Sequence, residues 1–291
     1  MKKKIIKIYL KIISKLSKGK GYGKKYRIID SAVKKIETNL KSDTADVWAG
    51  KMYLHPNDGL GLSIRGIYEI DNTKILMKYV KKDQIVIDLG AHIGYYTLMM
   101  AKLVGPNGKV FAFEPEPRNL ELLRKNIVEN GYKNVIVVPK AVSNKEEDCI
   151  LYVGQKSFGA NRIFKPEKTN SQEFKEIRTQ TIKLDNYFNE NSLLKKISFV
   201  KMDIEGSERK ALEGMEDILS ANNELKILTE INKDALEDNN SNYKKMLKYL
   251  EEFSFGFFIQ GKNDEYERIM MDDFEKVLSD NTMMNIFCKK V

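Results

Sequence analysis

The first half of the chain contains a regular alternation of short apolar runs and longer amphipathic stretches. The apolar runs predict strands at residues 85–89, 109–114 and 135–139, and the stretches between them predict helices at 95–103 and 118–130. The connections between these elements are short. Because such connections favour right-handed crossovers, we expect the three strands to lie parallel in one sheet.

The alternation changes after residue 143. Residues 144–198 contain two β-like pieces, at 150–153 and 178–184, around a polar loop. Elsewhere the pattern predicts strands at residues 199–203, 226–231, 257–260 and 284–288, and helices near 72–80, at 208–219 and at 243–253. The whole pattern predicts an α/β fold, with an open, mostly parallel sheet and helices on both faces.

The formal net charge of +9 is concentrated at the N-terminus. Residues 1–41 contain 14 Lys or Arg and two acidic residues, a balance of +12, whereas the remainder has 36 basic and 39 acidic residues, a balance of −3. We therefore expect residues 1–41 to form a basic extension and residues 42–291 to form one globular domain. The slightly acidic body argues against a broad nucleic-acid-binding face, so nucleic acid is not the expected partner.

The beginning of the extension predicts a basic amphipathic helix. At helical spacing five lysines fall within an arc of about 80°, and apolar side chains occupy the other side. Such a helix can lie on a membrane surface, but its lysines interrupt the apolar run well short of the ~18 residues of a span and break the pattern of a secretory signal. We expect residues 1–20 of a cytoplasmic protein to contact the inner face of the membrane; packing on the body or on another subunit is the alternative.

The most informative motif is V-I-D-L-G-A-H-I-G at residues 86–94. An apolar strand runs into Asp88, a glycine turn follows, and the next apolar run ends in Glu114, 24 residues after Gly90. Glycine lets the backbone approach a ligand at a helix N-terminus, and a carboxylate after the second strand can bind the hydroxyl groups of a ribose. These features predict a site for a nucleoside-containing cofactor.

The glycine spacing and the charge indicate which cofactor this is. A dinucleotide site needs three glycines, as G-x-G-x-x-G. Here Gly90 and Gly94 give only G-x-x-x-G, and Ala91 and His92 stand where the other glycines would fall. Asp88 would repel a pyrophosphate but suits the ammonium and sulfonium groups of S-adenosylmethionine. We therefore expect S-adenosylmethionine rather than NAD.

A second motif, V-K-M-D-I-E-G-S-E, occupies residues 200–208 at the end of an apolar run. Strand periodicity places Asp203 and Glu205 on the same side, and Gly206 permits a tight turn into the next helix. In open α/β sheets ligands bind at the carboxyl ends of strands where the strand order reverses. If this strand lies beside the first one, Asp203 faces the transferred group. The alternative is that both carboxylates only cap the next helix.

The metal-ligating residues are few. Two cysteines far apart and two histidines do not make a structural zinc site or a disulfide framework. A divalent cation held by Asp203, Glu205 and Glu230 is an alternative that the sequence leaves open, because hard cations prefer oxygen ligands. We assign no metal ligand on this basis.

At these motifs the chain resembles the FkbM-type methyltransferases, a family of S-adenosylmethionine-dependent O-methyltransferases. The resemblance covers about residues 66–260 and rests on V-I-D-L-G-A-H-I-G-Y-Y-T, F-A-F-E-P-E-P, P-K-A-V-S, V-K-M-D-I-E-G-S-E and T-E-I-N. It implies a Rossmann-like class I methyltransferase fold, with a seven-stranded, mostly parallel sheet and the methyl donor above the first two strands. His92 departs from the family, which more often has Asn there.

The resemblance also implies roles for individual residues. It assigns donor binding to Asp88, Gly90, Ala91, His92, Gly94, Thr97, Glu114, Pro115, Ala141, Val142 and Asp203. Gly90 and Gly94 would line the methionine end, and Glu114 would hold the ribose. Residues 141–142 would pass near the adenine, and Asp203 would lie near the sulfonium.

The expected reaction is attack on the methyl carbon by a substrate hydroxyl group that a base deprotonates. Asp203 is the first candidate for that base and Glu205 the second. The resemblance implies a sugar, a glycan, a glycolipid or a related small molecule as acceptor, selected by residues 144–198. Two alternatives are a nucleic-acid methyltransferase that uses the basic arm, although no N-P-P-Y-like motif occurs, and a nucleotide-cofactor-binding protein without methyl-transfer activity.

Overall fold

The computed structural model describes residues 42–291, apart from residues 57, 155–158, 160, 166–173, 262–264 and 279–281. The predicted helix at residues 1–20 and the rest of the basic extension lie outside the described residues. The chain divides into two compact units, with the boundary between Tyr68 and Glu69. The assignment of residues 1–41 and 42–291 to an extension and a domain stays a prediction.

The first unit contains a hairpin and one helical turn. Strands β1 (Thr44–Val47) and β2 (Gly50–Tyr53) pair antiparallel, and helix α1 spans Leu62–Arg65. The carboxylate of Asp58 accepts hydrogen bonds from the backbone of Leu62 and Ser63 at 3.0 Å each, so it satisfies the first free amides of α1.

The second unit contains the α/β sheet that the sequence predicts. Its elements in chain order are α2 (Ile70–Tyr79), β3 (Ile85–Leu89), α3 (Tyr95–Val104), β4 (Lys109–Phe113), α4 (Pro117–Glu129), β5 (Val135–Val138), β6 (Ala141–Val142), β7 (Asp148–Gly154), β8 (Phe174–Ile182), α5 (Leu184–Glu190), β9 (Ile197–Met202), α6 (Glu208–Glu213), α7 (Glu216–Ala221), β10 (Lys226–Asn232), α8 (Lys233–Asp238), α9 (Tyr243–Glu252), β11 (Phe255–Gln260), β12 (Tyr266–Ile269), α10 (Phe274–Leu278) and β13 (Met283–Lys290).

The main sheet has eight strands in the order β12-β11-β13-β10-β9-β3-β4-β5. Neighbours from β10 to β5 run parallel, and β13 runs antiparallel to both β10 and β11. The order reverses between β3 and β9, and this reversal is the switch point at which open α/β sheets bind ligands. The prediction of a Rossmann-like α/β sheet is confirmed. The sheet has one strand more than the seven expected, because β12 pairs antiparallel with β11 at the edge.

The strands at the switch point are buried. Ile87 and Leu89 of β3 and Val200 and Met202 of β9 have no exposed surface, as their near-continuous apolar sequences predict. Two charged residues interrupt this core: Asp88 of β3 and Lys201 of β9, which are pairing partners in the parallel register. The two central strands therefore carry charged groups of the site.

The predicted single helix at residues 208–219 is wrong, because α6 ends at Glu213 and α7 begins at Glu216. The break lies at Gly214, where a Cβ atom would come within 2.2 Å of the backbone oxygen of Ser143. The chain approaches a neighbouring segment too closely there for any side chain, and the local sequence does not show that contact.

A second, three-stranded sheet has the order β6-β8-β7. Strand β6 pairs parallel with β8, and β7 pairs antiparallel with β8 over its whole length. This sheet contains the two β-like pieces expected within residues 144–198. In the part of the chain that the structure describes, no helix is long and apolar enough to cross a membrane.

Candidate active site

The glycine turn after β3 brings two strands into backbone contact. Gly90 has a φ of +76°, and a Cβ atom at this position would lie 1.9 Å from the backbone oxygen of Asp203. The amide of Asp203 donates to the backbone oxygen of Leu89 at 3.1 Å. Gly94 caps the N-terminus of α3 with a φ of +95°, and a Cβ atom there would meet Leu123 at 2.7 Å. Both glycines are therefore required by close approach as well as by conformation.

Asp88 lies below this turn, completely enclosed. Its side chain has no exposed surface, and the hydroxyl of Thr97 donates to its Oδ2 at 2.6 Å. The ammonium of Lys201 lies 3.9 Å from its Oδ1. Burial raises the pKa of Asp88, while Lys201 and the Thr97 hydroxyl act in the opposite direction. Asp88 and Thr97, both predicted for this site, are thus brought together under the start of α3.

Lys201 lies in the candidate site although the sequence analysis did not single it out. It is 5% exposed, and its Nζ donates to Oδ2 of Asp203 at 3.4 Å and lies 5.0 Å from the ring centre of Tyr96. Burial alone would lower the pKa of Lys201, but the carboxylates of Asp203, Asp88 and Glu69 together raise it. The ammonium therefore stays charged between two strand-end carboxylates. The K-x-D spacing, which places Lys201 and Asp203 on one side of a strand, was the signal for it.

Glu69 extends the cluster toward α2. Its Oε2 accepts hydrogen bonds from the hydroxyl of Tyr96 at 2.6 Å and from the amide of Asn72 at 2.8 Å. Glu69 has a φ of 39°, in the left-handed region that is uncommon for glutamate. Tyr96 therefore lies between Glu69, to which its hydroxyl donates, and the Lys201 ammonium, which lies over its ring.

Three glutamates complete an acidic region at the ends of β9 and β10. Burial first, and the charge of Asp203 second, raise the pKa of Glu205 to about 8 and that of Glu230 to about 9. Burial raises the pKa of Glu208 to about 7, although its Oε1 accepts a hydrogen bond from the amide of Ile204 at 3.0 Å. Near neutral pH, Glu205 and Glu230 therefore hold protons that a bound cation would displace.

The positive charge of Arg162 partly offsets the increase in the pKa of Glu205. Its guanidinium lies 4.0 Å from Oε2 of Glu205 and donates to Asp238 at 3.2 Å. Asp203, Glu205 and Glu230 thus lie in one acidic region, but strand periodicity does not align the first two as predicted, because β9 ends at Met202 and Glu205 has a φ of 53°. Among the residues that the structure describes, no group of three or more His, Cys, Asp or Glu side chains is arranged to hold a metal ion.

Glu114 follows β4 and fixes the backbone of the glycine turn. Its Oε2 accepts from the amide of His92 at 2.8 Å, and its Oε1 accepts from the amide of Glu116 at 2.9 Å and from the side chain of Asn119 at 3.3 Å. It is 4% exposed, and burial raises its pKa to about 7. An ionised carboxylate has about four acceptor positions, so these bonds leave one for a ligand.

The other predicted residues flank these groups. Ala91 is buried beside Gly90, with its amide donating to the backbone oxygen of Phe113 at 3.0 Å, and Pro115 follows Glu114. Residues 141–142 form β6 of the small sheet and are buried. They begin three residues after Val138, whose backbone oxygen accepts from the amide of Glu114 at 3.2 Å. The roles given to these residues in donor binding stay predictions.

The strand order, the glycine turn at the switch point and the carboxylates at neighbouring strand ends define a protein of the class I methyltransferase type. The chain belongs to the methyltransferase FkbM domain family, because the model of that family matches residues 88–257, which is more than half of the chain.

Curated relatives carry the same indication. The chain is 24% identical over 149 residues to "Methyltransferase 1" of Beauveria bassiana, which covers 46% of this chain and 59% of that protein. It is 26% identical over 155 residues to the hexuronic acid methyltransferase AglP of Haloferax volcanii, which covers 53% of this chain and 59% of that protein. The match therefore spans less than two thirds of the length of either relative.

Among solved structures, the chain is similar to the methyltransferase FkbM of Methylobacillus flagellatus, with a TM-score of 0.41 and 14% identity over 74% of this chain and 50% of that chain. It is also similar to an rRNA methylase of Streptococcus thermophilus, with a TM-score of 0.43 and 14% identity over 76% of this chain and 94% of that chain. The fold assignment rests on the strand order described above.

Proposed function

We propose that this protein transfers the methyl group of S-adenosylmethionine to a hydroxyl group of a sugar, a glycan, a glycolipid or a related small molecule. The observation that carries the proposal is the acidic region at the switch point, where Asp203, Glu205 and Glu230 converge beside the glycine turn. When a bound cation displaces the protons of Glu205 and Glu230, the region suits a ligand with an ammonium and a sulfonium group, and it would repel a pyrophosphate.

The donor fits the residues around the glycine turn. Gly90 and Gly94 fix the shape of this turn, because a side chain at either position would collide with neighbouring protein atoms, and we place the methionine end of the donor beside the turn. Glu114 has one acceptor position left for a ribose hydroxyl, and its longest present bond, the one at 3.3 Å from Asn119, is the one that a second hydroxyl would replace. Asp88 acts from below the turn, through Thr97.

S-adenosylmethionine supplies a methyl group already activated by its sulfonium sulfur, so the protein must position the acceptor and remove one proton. The acceptor oxygen bonds to the methyl carbon as the carbon–sulfur bond breaks, and the proton of the hydroxyl passes to a carboxylate. Asp203 suits this role, because its side chain is 31% exposed while that of Asp88 is fully buried. The Lys201 ammonium at 3.4 Å orients Asp203. Glu205 is the second candidate, but with a pKa of about 8 it can accept a proton only when it is ionised.

A sugar acceptor is supported by one relative. The hexuronic acid methyltransferase AglP carries a sugar acid in its name, and the family match covers residues 88–257, which include Asp88, Glu114 and Asp203. That residues 144–198 contribute to acceptor choice stays a prediction; the described part of this range contains β7 and β8.

Two measurements test the proposal. Calorimetry of the full-length protein should give binding of S-adenosylmethionine and none of NAD. The purified protein should then be incubated with labelled S-adenosylmethionine and with glycan, lipid and nucleic-acid fractions from cells that lack the protein. We expect label to be transferred to a glycan or a lipid. Label in the nucleic acid alone would favour the nucleic-acid alternative, and donor binding without transfer to any fraction would favour the non-catalytic one.

A variant separates chemistry from binding. Asp203→Asn keeps the shape of the side chain and removes the base, so turnover should fall about 10²- to 10⁴-fold while donor affinity changes little. Asp83→Asn is the matched control, because Asp83 is exposed and its φ of 63° suits asparagine. If Asp203→Asn loses donor affinity and keeps turnover per bound donor, Asp203 is a binding residue. Full activity after exhaustive treatment with a chelator would exclude the divalent cation.

The basic N-terminus suggests where the protein works. We propose that residues 1–20 attach it peripherally to an anionic membrane surface, since each lysine near such a surface contributes about 1 kcal/mol. Flotation with anionic liposomes at low and high salt tests this. Full-length protein should float at low salt, and a chain that begins at Gly23 should not; failure of the full-length protein to float would leave the helix a role in packing.

A further inference from the structure

One face of the main sheet, near its β12 edge, carries side chains that the proposed donor site does not use. Asn285 and Phe287 lie two residues apart on β13, so they point to the same face. Phe287 lies opposite Phe258 of β11, and Gln260 of β11 lies opposite Tyr266 of β12. Because paired residues share a face, these five side chains form one surface.

Helix α2 covers part of this surface and leaves a cavity of about 260 Å³, which we call the ring pocket. Tyr79 of α2 stacks on Phe287 with ring centres 4.4 Å apart, and Phe287 is 1% exposed. Phe258 and Tyr266 are half-buried in the pocket wall, and the hydroxyl of Tyr266 donates to the backbone of Asp71 at 3.3 Å. The wall therefore offers two aromatic side chains that are not fully covered.

The polar part of the wall consists of carboxylates and amides. These side chains are Glu69, Asp71, Asn72, Gln260 and Asn285. No lysine or arginine among the described residues lines the pocket, although the ammonium groups of Lys78 and Lys289 lie 5.6 Å from the ring centre of Tyr266 and 4.6 Å from that of Phe258. Carboxylates accept hydrogen bonds from hydroxyl groups, and amides both accept and donate them.

The ring pocket shares two walls with the candidate active site. Glu69 lines the pocket and also accepts the hydroxyl of Tyr96, whose ring lies 5.0 Å from the Lys201 ammonium. Asn285 lies directly opposite Glu230 in the pairing of β13 with β10. A molecule in the pocket would therefore lie beside Glu69 and one strand away from Glu230.

We propose that the ring pocket binds an uncharged six-membered sugar ring and presents one of its hydroxyl groups to the active site. The inference rests on the proposed function and names the acceptor more narrowly. The volume lies just below the 300–1,000 Å³ of pockets for drug-sized ligands, so it accommodates one ring. The apolar face of a sugar packs on an aromatic ring while its hydroxyl groups meet the polar wall. A uronate would be repelled by Glu69 and Asp71.

Saturation-transfer NMR tests the proposal with full-length protein and S-adenosylhomocysteine, because it detects weak binding without turnover. The probes are methyl glucoside, methyl galactoside, methyl mannoside and methyl glucuronide. At least one neutral glycoside should show transfer to its ring protons, and glucuronide should show less. Phe258→Leu, which keeps an apolar side chain and removes the ring, should weaken the signal about two- to tenfold. Gln260→Ala should weaken it as well.

Val128→Ala on α4 is the control, because Val128 is 78% exposed and does not line the pocket, and it should change nothing. Donor affinity, measured by calorimetry, should be the same in all these variants. Absence of transfer to every neutral glycoside, a preference for glucuronide, or signals unchanged in both Phe258→Leu and Gln260→Ala would each overturn the assignment. Failure of the wild type to bind S-adenosylmethionine would instead contradict the proposed function, and the glycoside signals are read independently of it.

Discussion

Lys201→Met is the sharpest test of the buried charge cluster. Methionine keeps an unbranched apolar stem of similar length, so the substitution removes the ammonium with little change in volume. Lys201 is 5% exposed and lies 3.9 Å from Oδ1 of Asp88 and 3.4 Å from Oδ2 of Asp203. Removing its charge leaves two carboxylates without their cation, and one of them, Asp88, is fully enclosed.

The distances set the size of the effect. At an effective dielectric constant of ~20, two unit charges 3.4–3.9 Å apart attract by about 4–5 kcal/mol, and the desolvation of the ammonium offsets part of this. Removing one member of a buried pair costs about 3–5 kcal/mol when the other stays charged. Burial already raises the pKa of Asp88, and without Lys201 this pKa rises further. Asp88 therefore takes up a proton more easily at low pH, so the loss should be largest at pH 8 and smaller at pH 6.

Urea unfolding at pH 6 and pH 8 measures this loss. The set comprises the wild type, Lys201→Met, Asp88→Asn and the double variant, with Lys109→Met as the control, since Lys109 is an exposed lysine of β4 in the same sheet. The double variant should be markedly more stable than the sum of the single losses predicts, because the two charges are removed together. A loss below about 1 kcal/mol at both pH values, or additive losses in the cycle, would refute the argument from the buried charges.

Four further predictions concern the donor site and the stability of the free protein. Gly90→Ala should abolish donor binding or unfold the protein. Gly131→Ala is the control, because Gly131 has a φ of +66° but no atom within 4 Å of its Cβ position, so it should lose only ~1–2 kcal/mol of unfolding free energy. Equal losses in the two variants, measured by calorimetry and denaturation, would contradict the close contact at Gly90. Glu114→Ala should weaken S-adenosylmethionine binding by about 1.5–3 kcal/mol, and unchanged affinity in a folded variant would exclude the ribose contact. Because Glu205 and Glu230 have pKa values near 8 and 9, binding of the cationic donor at pH 7 should release protons, measured by calorimetry in buffers of different ionisation enthalpy; binding without proton release would contradict their protonation. The same two groups bind more protons in the folded than in the unfolded state, so the unfolding free energy of the free protein should decrease from about pH 5 to pH 9; an increase over that range would contradict the raised pKa values.

Local sequence patterns were sufficient for the strands and the turn at the switch point. The apolar run of β3 and the glycine turn up to Gly94 could be recognised from neighbouring residues alone, and their positions are as predicted. Asp203 and Glu205 were predicted at the end of β9 for the same reason. The predicted position of Asp203 required β9 to lie beside β3, and the two strands do pair in parallel.

The features that sequence reasoning missed depend on contacts between distant segments. Lys201 looks like a solvent-facing residue until the register sets it opposite Asp88. The link from Glu69 to Tyr96 joins residues 27 positions apart. Strand β12 is short and two of its four residues are charged, so its apolar signal is weak and only pairing with β11 defines it.

The contact between Gly90 and the backbone of Asp203 limits how this enzyme can diversify. The turn proposed to hold the donor and the carboxylate proposed to remove the proton are joined atom against atom, so neither can shift without displacing the other. The backbone contact thus fixes the distance between the proposed donor site and the proposed base. Engineering for a new acceptor should therefore keep Gly90 and Asp203 and randomise the residues of β11 and β12 that line the ring pocket. Substitutions there would change the acceptor that binds without moving the contact between Gly90 and Asp203.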